Sequence, residues 1–331
     1  MGVLPPIALS LLGLSLAAWG CEARASQQAL PPDALGPGAL SLDVVAAPQD
    51  EVSFGGPTPA GVVQHDPLRE ASGLVASRAH PGVLWTHNDS GDGPHLYALT
   101  TDGRHLGVFT LSGAEARDWE DLAIGPGPDA GVDYLYAGDI GDNDSQHDVK
   151  YVYRVAEPAV STDQAPSVTS LTGVSRIALR YPGAPSDAET LLVDPLTGDL
   201  YVVTKRSTDA SVYRAAAPIS TADIIEMERS GTLSLPSVPG LPAAGQGAVG
   251  GDIAPSGLEV LLKTYTAVYY WRRGSAAEAL FARPYQALPY VPEPQGEAIA
   301  WAADGSGYFT LSEERQSIPA TLYFYPRQRT P

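Results

Sequence analysis

Acidic residues recur at the start of short apolar segments, in a pattern that could assemble a ring of carboxylates. The clearest copy is 117–124 (RDWEDLAI), whose apolar end is typical of a buried strand. Three further copies and one degenerate copy are 69–75 (REASGLV), 186–193 (SDAETLLV), 296–301 (GEAIAW) and 250–254 (GGDIA). One position of the alignment is held by Ser72, Glu120, Glu189 and Glu297, and the position two residues earlier by Glu70, Asp118 and Asp187.

Carboxylates gathered around one axis repel each other, so they must take up protons or share a cation. Oxygen ligands favour a hard cation, and Ca²⁺ suits them best. We therefore predict a Ca²⁺ site whose ligands are Glu70, Asp118, Glu120, Asp187, Glu189 and Glu297. The structural alternative is that these acids accept hydrogen bonds from backbone N–H groups where each copy begins. Asp252 falls out of register, and the sequence assigns no ligand to the fourth copy.

Polar residues of mixed charge follow a second apolar segment in each copy. From them we predict a catalytic set of His87, Asp89 and Lys205, in which Asp89 would orient His87 as a general base. The predicted substrate-binding residues are Arg206, Lys263, Asp139, Asp142 and Glu313. Such a ring is acidic on one side and cationic on the other, which suits a substrate with an anionic group. Ordinary turn chemistry is the alternative for the Asp-Gly-rich segments, and a purely structural role is the alternative for the histidine.

The elements that must position these residues are short strands. Each acidic strand is followed by a turn, a second strand and a third strand that carries a tyrosine at one place, Tyr97, Tyr153, Tyr213, Tyr269 or Tyr323. Fourth strands are predicted at 105–111, 176–181, 231–235 and 279–282, and the strand that the last copy lacks is predicted at 61–65. Four-stranded units with a period of roughly 45 to 70 residues predict an all-β fold, a five-bladed β-propeller closed by an N-terminal strand. Six blades are the alternative.

Composition supports a single all-β domain, predicted at 61–331. The 30 prolines are scattered along the chain, and no long segment has a 3.6-residue apolar period. The net charge is −18, from 38 acidic and 20 basic residues without a basic cluster, so phosphate backbones would be repelled. Nucleic acid is therefore not an expected partner. The alternative explanation of the acidity is the solubility of an exported protein.

The N-terminal segment predicts export. Residues 1–20 contain no charged side chain and include an apolar run at 7–18 that is too short for a spanning helix. Cys21, the only cysteine, resembles the lipidated cysteine of bacterial lipoproteins, although Trp19 is bulky for that motif and no Lys or Arg precedes the run. An ordinary cleaved signal is the alternative. Residues 21–60, rich in Ala, Pro and Gly, predict a lipid-anchored tether, so we expect a membrane-anchored protein of the bacterial cell envelope, or a secreted one.

Four segments carry a resemblance to a known group of proteins. Residues 70–74 (EASGL), 87–91 (HNDSG), 118–123 (DWEDLA) and 138–143 (GDIGDN) resemble those of uncharacterised secreted bacterial β-propeller proteins, over about residues 61–325. That group implies a fold but no activity. In plan, the carboxylate ring is similar to the calcium sites of gluconolactonase-like propellers and of calcium-activated nucleotidases, the latter five-bladed. We expect hydrolysis of a small anionic or ester substrate at the channel mouth; the alternative is a non-catalytic binding or scaffold lipoprotein that recognises a protein or glycan there.

Overall fold

Backbone pairing in the computed structural model, which describes residues 52–315 and 318–328, forms five separate sheets. Two short strands come first, β1 (Ser53–Phe54) and β2 (Thr58–Val62). Blade one contains β3 (Ala71–Ala76), β4 (Val83–Asn88), β5 (His95–Thr100) and β6 (His105–Leu111). Blade two contains β7 (Trp119–Pro126), β8 (Asp133–Asp139), β9 (Lys150–Ala156) and, after β10 (Ser167–Leu171), β11 (Ser175–Arg180).

The other three sheets repeat this plan. Blade three contains β12 (Ala188–Val193), β13 (Leu200–Thr204), β14 (Asp209–Ala215) and, after β15 (Ile224–Glu226), β16 (Glu228–Ser234). A short 3₁₀ helix at Ala243–Gly245 precedes blade four, which contains β17 (Gly250–Ile253), β18 (Glu259–Lys263), β19 (Val268–Arg272) and β20 (Gln286–Leu288). Blade five contains β21 (Gly296–Trp301), β22 (Gly307–Ser312) and β23 (Thr321–Gln328). The described residues therefore form a five-bladed propeller, and the six-bladed alternative is wrong.

The first strand of each blade packs against the first strands of both neighbours, which closes a ring of β3, β7, β12, β17 and β21. Each of the five interfaces between blades has its own apolar core in the described residues. At one of them, Trp85 and Phe109 of blade one pack with Trp119 and Tyr153 of blade two. Both faces of a blade are covered by neighbours, which explains why the inner strands are buried along nearly their whole length.

The N-terminus closes the ring, as the sequence predicted. β2 pairs antiparallel with β23, and Gly61 lies opposite Leu322. β1 pairs with the same strand, so the closing segment begins at Ser53 rather than at residue 61. Phe54 is 5 % exposed, and its ring lies 5.2 Å from that of Tyr308. The predicted signal (1–20), Cys21 and most of the predicted tether (21–60) lie outside the described residues.

One strand prediction is wrong. The fourth strand of blade four is Gln286–Leu288, which pairs with β19. Residues 279–282 form a turn instead, in which Ala282 N donates to Ala279 O at 3.2 Å. Leu280 packs in the core beside Trp271, so the apolar pattern there reflects a buried turn.

In the described residues, no helix has the length and apolarity needed to cross a membrane.

Candidate functional site

The acidic positions predicted from the repeat lie on β-bulges. Pairing between the first two strands of blade two slips by one residue between Trp119 and Asp121, so Glu120 is the extra residue. The same slip makes Glu189 the extra residue in blade three and Glu297 in blade five. A bulge re-aims a side chain out of the regular alternation of a strand. Three carboxylates are re-aimed in this way at the equivalent place of three blades.

The recurring tyrosines define the register that relates the blades. Each tyrosine lies on a third strand and pairs with a residue of the second strand, which itself pairs with a residue of the first strand. The first-strand residues reached in this way are Leu74, Leu122, Leu191, Gly251 and Ile299. Two residues before these come Ser72, Glu120, Glu189, Val249 and Glu297. Four blades therefore have the predicted alignment. Blade four has no bulge, a buried valine stands in the acidic position, and Asp252 lies deeper along its strand.

Two buried carboxylates near the ring fasten neighbouring blades together. Asp121 Oδ2 accepts a hydrogen bond from Leu191 N at 2.9 Å, and Asp252 Oδ2 accepts one from Trp301 N at 2.8 Å. Burial raises the pKa of Asp121 well above its ordinary value and raises the pKa of Asp252 to about 7. These two acids cap backbone N–H groups, and neither is one of the six predicted Ca²⁺ ligands.

Five carboxylates at the channel mouth form two triads that share one member. In the first triad, one oxygen from each of Asp89, Asp118 and Glu120 lies within 4.8 Å of the others. In the second triad, Asp89, Glu297 and Glu313 meet the same limit. The five residues come from the loop after β4, the start of β7, the bulge of β21 and the end of β22. We refer to them as the acid cluster.

Burial and repulsion between carboxylates raise the pKa values of four members of the acid cluster, Asp89, Asp118, Glu120 and Glu313. Glu120 is 4 % exposed, and burial, followed by the charges of Glu189 and Asp89, raises its pKa well above the ordinary range. Burial also raises the pKa of Asp89 to about 7 and that of Glu313 to about 7, and the charge of Glu297 adds to both shifts. Such carboxylates are stabilised either by protons or by a shared cation.

The loop after β8 closes over the first triad. Gly141 N donates to the carbonyl oxygen of Asp118 at 3.2 Å. A Cβ atom on Gly141 would overlap Glu120 Oε1 and Asp118 Oδ2, so a larger residue at this position would have to displace the two carboxylates. The same loop is fixed by Asp142, whose carboxylate pairs with the buried Lys150 Nζ at 2.6 Å.

A chain of hydrogen bonds crosses the other side of the mouth. Lys205 Nζ pairs with Glu189 Oε1 and donates to the Tyr265 hydroxyl at 3.1 Å, and Tyr265 donates to Glu297 Oε1 at 2.6 Å. Ser72 Oγ lies 3.1 Å from Glu297 Oε2. Lys205 therefore neutralises Glu189, whereas the sequence assigned it to catalysis. The other oxygen of Glu189, Oε2, is buried and has no hydrogen-bond partner.

Three further predicted residues support the loops around the acid cluster. Asp187 Oδ1 accepts a hydrogen bond from Asp142 N at 2.7 Å, and its Oδ2 lies 2.5 Å from Arg206 Nε. Asp139 Oδ1 accepts a hydrogen bond from Asp118 N at 2.8 Å. Asp139, Asp142 and Asp187 are all buried. These contacts hold the loops around the acid cluster in place, and Asp142 also lines the pocket beside Asp118. The Arg206 side chain is 31 % exposed.

His87 and Lys263 lie beneath the mouth. His87 is fully buried, burial lowers its pKa to about 4, and its Nδ1 lies 2.7 Å from the carbonyl oxygen of Asn88. The His87 ring therefore does not hydrogen-bond to Asp89, so the structure does not bring the predicted general base and its orienting carboxylate together. Lys263 Nζ donates to the carbonyl oxygen of Gly296 at the bulge of blade five, and burial lowers the Lys263 pKa to about 8.

Tyr265 and Gly141 are two residues of the site that no sequence pattern selects. Both lie in segments that follow a second strand, but sixteen tyrosines and 34 glycines give no signal that selects these two.

Glu70, which was predicted as a Ca²⁺ ligand, contacts the site through its backbone. Its side chain is exposed, and the residue meets the site through its carbonyl oxygen, which accepts a hydrogen bond from Asp89 N at 2.8 Å.

An open pocket of about 330 Å³ adjoins the first triad at Asp118. The other lining residues are Ser90, Arg117, Asp142, Asn143, Asp144, Gln146 and His147. Of these, Asp142 is one of the predicted substrate-binding residues. This volume lies in the range of small-molecule sites. The Arg117 side chain is 29 % exposed and lies 3.7 Å from Asp139, so a cationic group stands at the edge of the pocket.

Comparisons with known proteins concern the fold alone. The crystal structure of the RRP9 WD40 repeats is similar, with a TM-score of 0.42 and 11 % sequence identity over 84 % of this chain and 100 % of that chain. The structure of U3-55K is also similar, with a TM-score of 0.36 and 13 % identity over 76 % of this chain and 79 % of that chain. No protein-family model matches the chain, and no curated protein matches it. The strand pairing described above makes the chain a five-bladed β-propeller.

Proposed function

We propose that the protein binds Ca²⁺ through the acid cluster and, with the cation bound, hydrolyses a small anionic or ester-bearing molecule in the adjoining pocket. The first triad carries the proposal, because Asp89, Asp118 and Glu120 bring three carboxylate oxygens within 4.8 Å of one another. Three like charges at this separation are unfavourable without protons or a cation.

Two observations fit a cation better than protons alone. The first is Glu189 Oε2, a buried acceptor without a partner, on a residue whose charge raises the pKa of Glu120. Lys205 pairs with Glu189 through Oε1, and a cation beside Glu120 would add to that compensation. The second is that the Gly141 backbone lies close to the Glu120 and Asp118 oxygens, which lie within 4.8 Å of each other. Carboxylate oxygens gathered at one place are the ligands that a hard cation such as Ca²⁺ takes.

The residues around the triads have separate roles in this proposal. Asp89, Asp118 and Glu120 hold the cation, which would supply Lewis acidity to a substrate oxygen. Arg117 and Arg206, with side chains 29 % and 31 % exposed, provide cationic groups that can orient an anionic substrate at the pocket edge. The buried His87 does not contact the pocket and takes no part.

Calorimetric titration of the chelator-treated full chain with Ca²⁺ tests the cation site. We expect saturable binding, and Glu120→Gln should weaken it at least tenfold because a ligand charge is lost while the side-chain shape is kept. Glu228→Gln is the matched control, since the Glu228 side chain is 76 % exposed on the outer strand of blade three. If the wild type does not bind Ca²⁺, both the cation site and the hydrolase proposal that depends on it are wrong.

A panel of lactones, carboxylic esters and phosphate esters, assayed with Ca²⁺ and with chelator, tests the reaction. Hydrolysis that depends on Ca²⁺ and on Glu120 supports the enzyme. If Ca²⁺ binds and nothing on the panel reacts, the alternative of a recognition protein for a protein or glycan is favoured.

We further propose, from the sequence of residues 1–21, that the chain is exported and lipidated at Cys21. Cys21→Ser should move the protein from the membrane fraction to the soluble fraction of its host. Mass spectrometry that finds an unlipidated Cys21 in the wild type would refute the anchor.

A further inference from the structure

We propose that a pocket at the far end of the propeller from the acid cluster binds a small aromatic carboxylate, and that Arg154 recognises the acid group. The pocket has a volume of about 500 Å³ and is formed by residues of blades two and three. Pro126, which lines it, ends β7, whereas Glu120 lies at the start of the same strand. The pocket is therefore separate from the proposed cation site and needs no cation.

Arg154, which lines this pocket, is a buried arginine with neutral neighbours. It lies on β9 opposite Tyr136 of β8, and it is 7 % exposed. Its Nε has no hydrogen-bond partner. The guanidinium stands beside the Tyr136 hydroxyl and over the ring of Tyr134, at 5.8 Å from the ring centroid. A buried charge without a counter-ion is costly.

The described residues contain one other buried arginine, Arg273, and it has the partners that Arg154 lacks. Arg273 is 2 % exposed, its Nη2 pairs with Asp194 Oδ1 at 2.7 Å, and its Nε donates to the carbonyl oxygen of Gly257 at 2.6 Å. In the part of the chain that the structure describes, no aspartate or glutamate pairs with Arg154. An anion bound in the pocket would supply the missing partner.

The lining of the pocket indicates a monocarboxylate. Among the described lining residues, Arg154 is the only charged one. A guanidinium presents two parallel N–H donors to one carboxylate. A single positive charge, in a chain whose net charge is −18, favours a monoanion over a phosphate or a polyanion.

The walls of the pocket indicate an aromatic body. They are apolar and come from the turns after β7 and β12 and from the segment after β14, with Pro126, Pro128, Pro195, Leu196, Pro218 and Ile219. Apolar walls with one polar anchor are typical of small-molecule sites, and the volume lies in their range. Proline rings and aromatic rings are complementary surfaces that recur in protein recognition.

The probes are 2-naphthoate and 3-phenylpropionate, titrated into the full chain in chelator and followed by calorimetry. We expect saturable binding of at least one of them. The neutral 2-naphthamide and 3-phenylpropionamide, which lack the charge, should bind at least tenfold more weakly than the matching acid, and so should inorganic phosphate. If neither acid binds, or if the amides bind as well as the acids, the inference is wrong.

Two pairs of variants place the binding in this pocket. Arg154→Gln should weaken the acid at least tenfold, whereas Arg229→Gln, at an exposed arginine of blade three, should not. Leu196→Asp puts a negative charge on the pocket wall at a side chain 47 % exposed, and it should also weaken binding at least tenfold. Val168→Asp, at a side chain 84 % exposed in blade one, should leave the affinity unchanged. Wild-type affinity in Leu196→Asp overturns the assignment even if Arg154→Gln does not fold.

Thermal unfolding without ligand separates a binding arginine from a structural one. Arg154→Met removes a buried charge that has no counter-ion, so the melting temperature should not fall. Arg273→Met leaves Asp194 buried and unpaired, so its melting temperature should fall. Equal losses in the two variants would show that Arg154 serves the fold, and would overturn the inference.

Discussion

Asp89→Asn separates a cation-binding carboxylate from a structural one, because its effect should change sign with Ca²⁺. Burial raises the Asp89 pKa from its ordinary 3.8 to about 7, so the folded state holds the proton more tightly than the unfolded chain does. The resulting loss of stability is absent below pH 3.8, grows as the pH rises, and is complete above about pH 7. The substitution keeps the Oδ1 atom, which accepts a hydrogen bond from Ser90 N at 2.5 Å.

The size of the effect follows from the pKa shift. A shift of about three units corresponds to about 4 kcal/mol at 1.36 kcal/mol per unit. Part of the Asp89 side chain meets solvent, so screening reduces the value to about 2 kcal/mol. In chelator at pH 8 the variant should therefore melt about 4 °C above the wild type, at about 2 °C per kcal/mol for a domain of this size. At pH 5 the advantage should shrink.

Calcium should reverse the order. At a thousandfold excess over its dissociation constant, Ca²⁺ stabilises the wild type by about 4 kcal/mol, while a variant that does not bind gains nothing. The wild type should then be more stable by about 2 kcal/mol, the difference between the two effects. Differential scanning calorimetry of both proteins in chelator and in Ca²⁺ measures all four values.

The matched control is Asp304→Asn. Asp304 lies in the turn between the first two strands of blade five, and its Oδ1 accepts Ser306 N at 2.9 Å, which Asn preserves. This variant should shift equally in chelator and in Ca²⁺. If Asp89→Asn also shifts equally, or is less stable than the wild type in chelator at pH 8, the reasoning from repulsion and cation binding is wrong.

Three other substitutions test the supports of the site and of the fold. Gly141→Ala should weaken Ca²⁺ binding at least tenfold in a calorimetric titration, because the new Cβ overlaps Glu120 and Asp118, whereas Gly56→Ala, with no atom within 4 Å of its Cβ position, should leave the affinity unchanged. Phe54→Ala should lower the free energy of unfolding in urea by about 3–5 kcal/mol, since it opens the core where β1 closes the ring. Val62→Ala, at a side chain 43 % exposed, should change it by less than about 0.5 kcal/mol, and equal effects would contradict closure through β1. Burial lowers the His87 pKa to about 4, so the stability of the wild type relative to His87→Gln should fall by about 3 kcal/mol as the pH falls from 6.5 to 4; a difference that stays constant over this range would show that His87 is not a buried neutral base.

The sequence by itself determined the five blades and their internal register. The recurring tyrosine places the third strands of the five blades in equivalent positions, and the turns set the register of each pair of consecutive strands. That constraint acts within each blade, so the sequence shows it at each of the five recurring tyrosines, from Tyr97 to Tyr323. The same constraint failed at residues 279–282, where an apolar stretch is buried in a turn and has no strand partner.

Only the tertiary structure decided which carboxylates meet. The repeat made Glu120, Glu189 and Glu297 equivalent, but Lys205 neutralises Glu189, while Asp89 and Glu313 join the other two. These partners come from the ends of second strands, whose loops differ from blade to blade and carry no common pattern. Repulsion and ion pairing depend on distances of a few ångströms between atoms far apart in the chain, and such distances are set by the closure of the ring.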